Sequence, residues 1–158
     1  MAKIEKLERK IDQRLPWIPI ENLHLTLVFL GWLEEEYVEK VTQLLRQLKA
    51  ESLNLMVEKI DYSPGAKRMI WLYLGSNPKL LNLQSDLVRL WGAQKFPFEK
   101  EKREYLPHIN LIRLQGTYGK NIKQALGWKL EAEEVNLYES ILTKPFARYE
   151  VLKSVRLD

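Results

Sequence analysis

Cysteine is absent from the chain, and histidine occurs only twice. Without thiols there is no disulfide scaffold, thiolate zinc site, iron–sulfur cluster or cysteine nucleophile. With two histidines, no mechanism built on three can operate. No apolar run approaches the ~20 residues of a membrane-spanning helix. The stretch Met1 to Leu15 is charged throughout and lacks the apolar centre of a secretion signal, so the expected location is the cytoplasm, away from membranes. Glycine and proline, seven of each, are scattered as single turn signals and form no linker.

What is present is an ordinary globular composition. Apolar residues make up 46% of 158, enough to bury a core without staples, and one domain over residues 1–158 is expected. The net charge of +4 leans towards an anionic partner, although 25 basic against 21 acidic residues is mostly a mixed, solvated surface.

Hydrophobic periodicity gives the order of elements. Ile4, Leu7, Ile11 and Leu15 form a helical stripe that Pro16 and Pro19 end. Residues 23–30 alternate as a strand with Leu23, Leu25, Leu27 and Phe29 on one face, and Gly31 stops it. Residues 34–49 form an amphipathic helix with three glutamates in its first turn, where the helix dipole favours them. Strands over 53–62 and 68–74 flank the turn Ser63-Pro64-Gly65. A helix over 78–91, a loop with the charged run 99–104 and a strand over 108–114 follow. A short helix over 119–126 and strands over 132–142 and 148–157 complete the chain. Phe29, Trp71 and Trp91 are expected in the core. The two halves share much of this order, which suggests a duplicated α+β architecture.

The two histidines occupy the same local pattern. His24 opens His24-Leu25-Thr26-Leu27, and His108 opens His108-Ile109-Asn110-Leu111. Both follow proline-containing loops. Strand alternation puts His24 beside Thr26, and His108 beside Asn110, opposite apolar faces that bury. Imidazole titrates near neutrality, so one ring can accept a proton while the other donates one. A hydroxyl and an amide between them can hold a charged oxygen. That set suits displacement at phosphorus without a metal. A metal would need a carboxylate such as Glu21 or Glu104 beside the two rings, and no His-x-x-x-His spacing occurs. The pattern alone leaves open which ring is the acid. It also leaves open the plainer role of half-buried strand histidines.

These residues resemble a known family. Pro19-Ile20-Glu21-Asn22-Leu23 followed by His24-Leu25-Thr26-Leu27 is similar to the first His-x-Thr-x motif of the two-histidine phosphoesterases, in the branch of RNA 2′,3′-cyclic phosphodiesterases, also called 2′-5′ RNA ligases. Arg103-x-Tyr105-x-Pro107-His108-x-Asn110-x-x-Arg113 resembles the second motif, with Asn110 where the family has threonine. Leu137-Tyr138-Glu139-Ser140 resembles the C-terminal strand. The resemblance implies an α+β, bilobal, duplicated fold with two mainly antiparallel sheets around a central cleft and helices outside. The sequence lacks the strand with which members begin.

The resemblance further implies opening of RNA 2′,3′-cyclic phosphates to 2′-phosphates, and 2′-5′ ligation in reverse. It gives His24 as proton donor and His108 as proton acceptor, with Thr26, Asn110, Arg113, Arg103 and Tyr105 binding phosphate or substrate. No metal or cofactor is implied. The expected partner is RNA with a cyclic phosphate end, or a cyclic nucleotide, bound by a monomer or weak dimer. Simple alternation puts Arg113 on the face opposite His108, so it reaches a phosphate only through a bulge or strand end. Trp17, Tyr105 and Tyr138 are candidates to stack on a base. Two other readings stand beside the phosphodiesterase: a non-catalytic module binding RNA ends or phosphate, and an enzyme acting on a small cyclic nucleotide.

Overall fold

The computed structural model describes residues 2–94, 104–116 and 118–158. Its elements are helices α1 (Ala2–Ile11), α2 (Glu35–Arg46) and α3 (Pro78–Ala93), a 3-10 turn at Ile20–Asn22, and six strands: β1 (Leu53–Tyr62), β2 (Met69–Leu74), β3 (His108–Arg113), β4 (Gln124–Ala132), β5 (Glu134–Ile141) and β6 (Arg148–Arg156). The strands form a four-stranded sheet in the order β3-β2-β1-β4 and a two-stranded sheet of β5 and β6. The β1–β2, β2–β3 and β5–β6 pairs are antiparallel. The class is α+β with two antiparallel sheets, as expected.

The chain divides into two compact units. The first comprises Met1–Leu25, Met56–Gly75 and Pro107–Lys129. Its core is built by alternation along β2: Ile70, Leu72 and Leu74 are buried, against Val57 and Ile60 of β1 and Ile112 of β3. Ile60, Ile70 and Ile112 are fully buried, and each such side chain contributes about 1.5–3 kcal/mol on leaving water. Leu7 anchors α1 in this unit. Between β1 and β2, Gly65 takes a φ of 81°, the left-handed conformation that the Ser63-Pro64-Gly65 turn requires.

The second unit comprises Thr26–Leu55, Ser76–Leu106 and Leu130–Asp158. Here α2 packs on α3 and β6. The stripe Leu80, Leu83, Leu87 and Trp91 of α3 is buried at helical spacing. The helix starts cleanly: Asn77 accepts a hydrogen bond from the Leu80 N–H at 3.0 Å, and Pro78 occupies the first turn.

Several expectations are corrected. The helix expected over 119–126 is not formed; Gln124 already begins β4, which takes the sheet edge beside β1. The stretch 23–30 contributes one isolated bridge, Leu25 to Ile109, and no strand. Phe29 is 78% exposed, so it is no core residue, whereas Trp91 is buried. The first helix ends at Ile11, four residues early, because Asp12 turns the chain by accepting from the Arg14 backbone N–H at 3.0 Å. No helix among the described residues is long and apolar enough to cross a membrane.

Candidate active site

In the first unit, the free edge of β3 is lined by the segment that carries His24. Ile18 donates its N–H to the Leu111 carbonyl at 2.8 Å, Trp17 bridges to Ile112, and Leu25 bridges to Ile109, the last two antiparallel. With Leu25 opposite Ile109, the neighbouring residues His24 and Asn110 come opposite each other. His24 is then a diagonal neighbour of His108, at a separation of roughly 7–8 Å for such pairs. The structure therefore brings both histidines and Asn110 to one face of β3 and its edge.

Arg113 joins them through a bulge. Ile112 pairs with Ile70, while Asn110 pairs with Trp71, so Leu111 has no partner on β2. The extra residue reverses the alternation. Above it, His108 and Asn110 lie opposite Tyr73 and Trp71. Below it, Ile112 turns into the core beside Ile70, and Arg113 emerges opposite Met69. Met69, Trp71 and Tyr73 are alternate residues of β2 and share one face. Arg113 is thus returned to the face of His108 and Asn110, with its side chain exposed.

Each histidine has a distinct setting, and both are half-buried. Nδ1 of His24 lies 2.8 Å from the Asn22 carbonyl. A carbonyl only accepts, so Nδ1 carries a proton, and Nε2 is the basic nitrogen of the neutral ring. His108 is stacked on the indole of Trp71, with ring centroids 3.6 Å apart and planes at 17°. The expected core position of Trp71 is corrected here: it is half-buried on this face, and the core side of β2 belongs to Ile70, Leu72 and Leu74. Period-two alternation in β2 is the signal that would have found it.

The same face continues across the sheet. Trp71 and Tyr73 have ring centroids 5.7 Å apart. On β1, Asp61 and Lys59 stand opposite them, and form an ion pair at 3.7 Å. The Lys59 ammonium lies 4.6 Å from the Tyr73 ring centroid. The Tyr73 hydroxyl donates to the Tyr62 carbonyl at 2.6 Å, and burial raises its pKa. Two polar atoms on this face are buried without a hydrogen-bond partner among the described residues: the Asn110 carbonyl oxygen and the Trp71 indole nitrogen.

Thr26 and Tyr105 belong to the second unit, where the Tyr105 hydroxyl donates to the Thr26 carbonyl at 3.0 Å. Burial holds the Tyr105 phenol well above its usual pKa. Arg103 lies outside the described residues. Trp17 is half-buried, with its indole N–H donated to the Asp12 carbonyl at 2.9 Å. Tyr138 is on β5, edge-on to Tyr149.

The sequence model of the 2′-5′ RNA ligase superfamily matches residues 2–139. The chain belongs to that superfamily. Curated relatives named RNA 2′,3′-cyclic phosphodiesterase include one from Aquifex aeolicus, 24% identical over 97% of this chain and 88% of the relative. Another, from Methanocaldococcus jannaschii, is 28% identical over 84% and 79%. The Escherichia coli relative of that name is 26% identical over 86% and 76%. Among solved structures, TT0787 of Thermus thermophilus superimposes with a TM-score of 0.88 at 22% identity, over 99% of this chain and 90% of that one. Escherichia coli LigT complexed with 3′-AMP gives 0.80 at 24% identity, over 99% and 92%. These likenesses extend the superfamily's fold over nearly the whole chain.

Proposed function

We propose that this member of the 2′-5′ RNA ligase superfamily is an RNA 2′,3′-cyclic phosphodiesterase that works by two-histidine acid–base chemistry. The observation that carries the reading is the single face shared by His24, Asn110, His108 and, through the Leu111 bulge, Arg113.

Hydrolysis takes four changes. Water attacks phosphorus opposite O3′, and His108 removes its proton. The P–O3′ bond breaks, and His24 protonates O3′ from Nε2. The products are a 2′-phosphate and a free 3′-hydroxyl. The Asn22 carbonyl, which holds Nδ1–H, aims Nε2 and also stabilises the charged ring before transfer. Each acid or base role supplies about 10²–10⁴-fold. Arg113 and the Asn110 amide NH₂ offer donors to the non-bridging oxygens as their charge grows. Thr26, two residues along from His24, is the hydroxyl donor that the family resemblance assigns. A 5′-hydroxyl in place of water gives 2′-5′ ligation by the same steps, with hydrolysis favoured by the abundance of water.

The test is turnover of 2′,3′-cyclic AMP and of a short RNA ending in a 2′,3′-cyclic phosphate. Phosphorus NMR should show a 2′-monoester as the sole product, unaffected by chelator. A 3′-monoester, or RNA-end binding without turnover, rejects the reading.

A further inference from the structure

On the proposed reaction face, Trp71 is in direct ring contact with a histidine. It is opposite Asn110 on the neighbouring strand, and it reaches diagonally to stack on His108 at 3.6 Å between centroids. A 17° interplanar angle makes this a near-parallel stack rather than edge contact. Two consequences follow from that geometry. The imidazole cannot rotate about its Cβ–Cγ bond without sliding off the indole, so the direction of its nitrogens is set. One ring face is also closed to water. The indole is itself held, since Tyr73 lies 5.7 Å away at 52° and the ladder places Asp61 opposite it on β1.

We infer that Trp71 is the positioning residue of His108: its stacked indole fixes the imidazole plane in which a proton is exchanged with the attacking oxygen. This deepens the proposed activity and rests on it for the role of His108, but the contact has its own signature. A protonated imidazole in van der Waals contact quenches indole emission. Trp71 fluorescence therefore reports the charge on His108. Charged groups on this face include Asp61 and Lys59 of β1 and Arg113 of β3, and His24 lies on the adjoining edge segment.

The experiment compares Trp71→Phe and Trp71→Leu with wild type, each checked for native circular dichroism. Phenylalanine keeps an aromatic face for the imidazole, and leucine removes it. Loss of positioning should lower kcat of Trp71→Leu by about 10- to 100-fold with little change in KM. Trp71→Phe should remain within about tenfold of wild type. The emission component lost in Trp71→Phe should depend on pH in wild type and become pH-independent in His108→Asn. Equal kcat in Trp71→Leu and wild type overturns the inference, as does a Trp71 emission that ignores His108. A Trp71→Phe as slow as Trp71→Leu overturns it too, because the indole N–H, and not the stack, would then matter. A wild type inactive on every cyclic phosphate, but with Trp71 emission titrating as described, defeats the proposed activity while leaving the stacked pair established.

Discussion

Arg113 and Asn110 emerge on the same face of β3 although an odd number of positions separates them, because Leu111 is bulged between the two. An arginine there is exposed, so its replacement should cost little stability, within about 0.5 kcal/mol. Its loss from the substrate is another matter. A hydrogen bond to a charged group contributes about 1.5–3 kcal/mol, so Arg113→Ala should lower kcat/KM by about 10- to 100-fold. Arg113→Lys should recover part of that, since it keeps the charge but not the planar fork. Steady-state kinetics on a cyclic mononucleotide decide the point; unchanged kcat/KM in Arg113→Ala removes Arg113 from the site.

For the histidines, the expectation is non-additivity. His24→Ala and His108→Ala should each abolish nearly all turnover, and the double variant should be little slower than either. The pH profile of kcat/KM in wild type should be bell-shaped. Full activity in either single variant would end the acid–base scheme.

Asn110 joins activity to stability. Its buried carbonyl oxygen has no partner among the described residues, and such an atom costs about 1–3 kcal/mol. Asn110→Thr removes that acceptor and retains a donor. It should melt at or above the wild-type temperature and work within about tenfold of it. Asn110→Ala should lose about 10- to 100-fold in rate. Asn110→Asp should be slower still, because it sets an anion beside the phosphate. Equal rates across the series would show that the side chain does not touch substrate.

Stability should fall on the alkaline side. Burial raises the phenol pKa of Tyr105, Tyr73 and Tyr62 in the folded chain. Their contribution is therefore complete below the unfolded value near 10 and is lost as pH rises above it, because the unfolded chain gives up protons that the folded chain keeps. Denaturant midpoints measured from pH 8 to 11 should decline. The decline should be shallower in Tyr105→Phe, although that variant starts lower for want of the bond to the Thr26 carbonyl. An equal slope in the two proteins would assign the alkaline loss to other groups.

Local patterns reveal much of this molecule. Helical spacing locates α2 and α3, and alternation locates β1, β2 and β3, because each buries one face of its own sequence. Paired motifs around His24 and His108 mark both rings. Three features depend on neighbours instead. Residues 119–126 suggest a helix, although Leu126, Trp128 and Leu130 alternate as half-buried residues of an edge strand whose pairing with β1 is long-range. The size of Trp71 suggests the core, when its place in the β2 alternation turns it towards His108. The bulge has no glycine or proline to announce it: Asn110, Leu111 and Ile112 look like uninterrupted strand, and only the register with Trp71 and Ile70 exposes the extra residue.

That extra residue makes β3 behave like a message with a frameshift in the middle. The first half is written in one phase, with His108 and Asn110 as its outward letters, and the second in the other, with Arg113. Deleting Leu111 would not shift Arg113: Asn110, Ile112 and Arg113 would stay opposite Trp71, Ile70 and Met69, now in unbroken alternation. What it removes is one buried leucine, so such a deletion should lower stability while leaving the guanidinium on the face of His108. Phase, and not the count of residues, is what holds Arg113 beside Asn110.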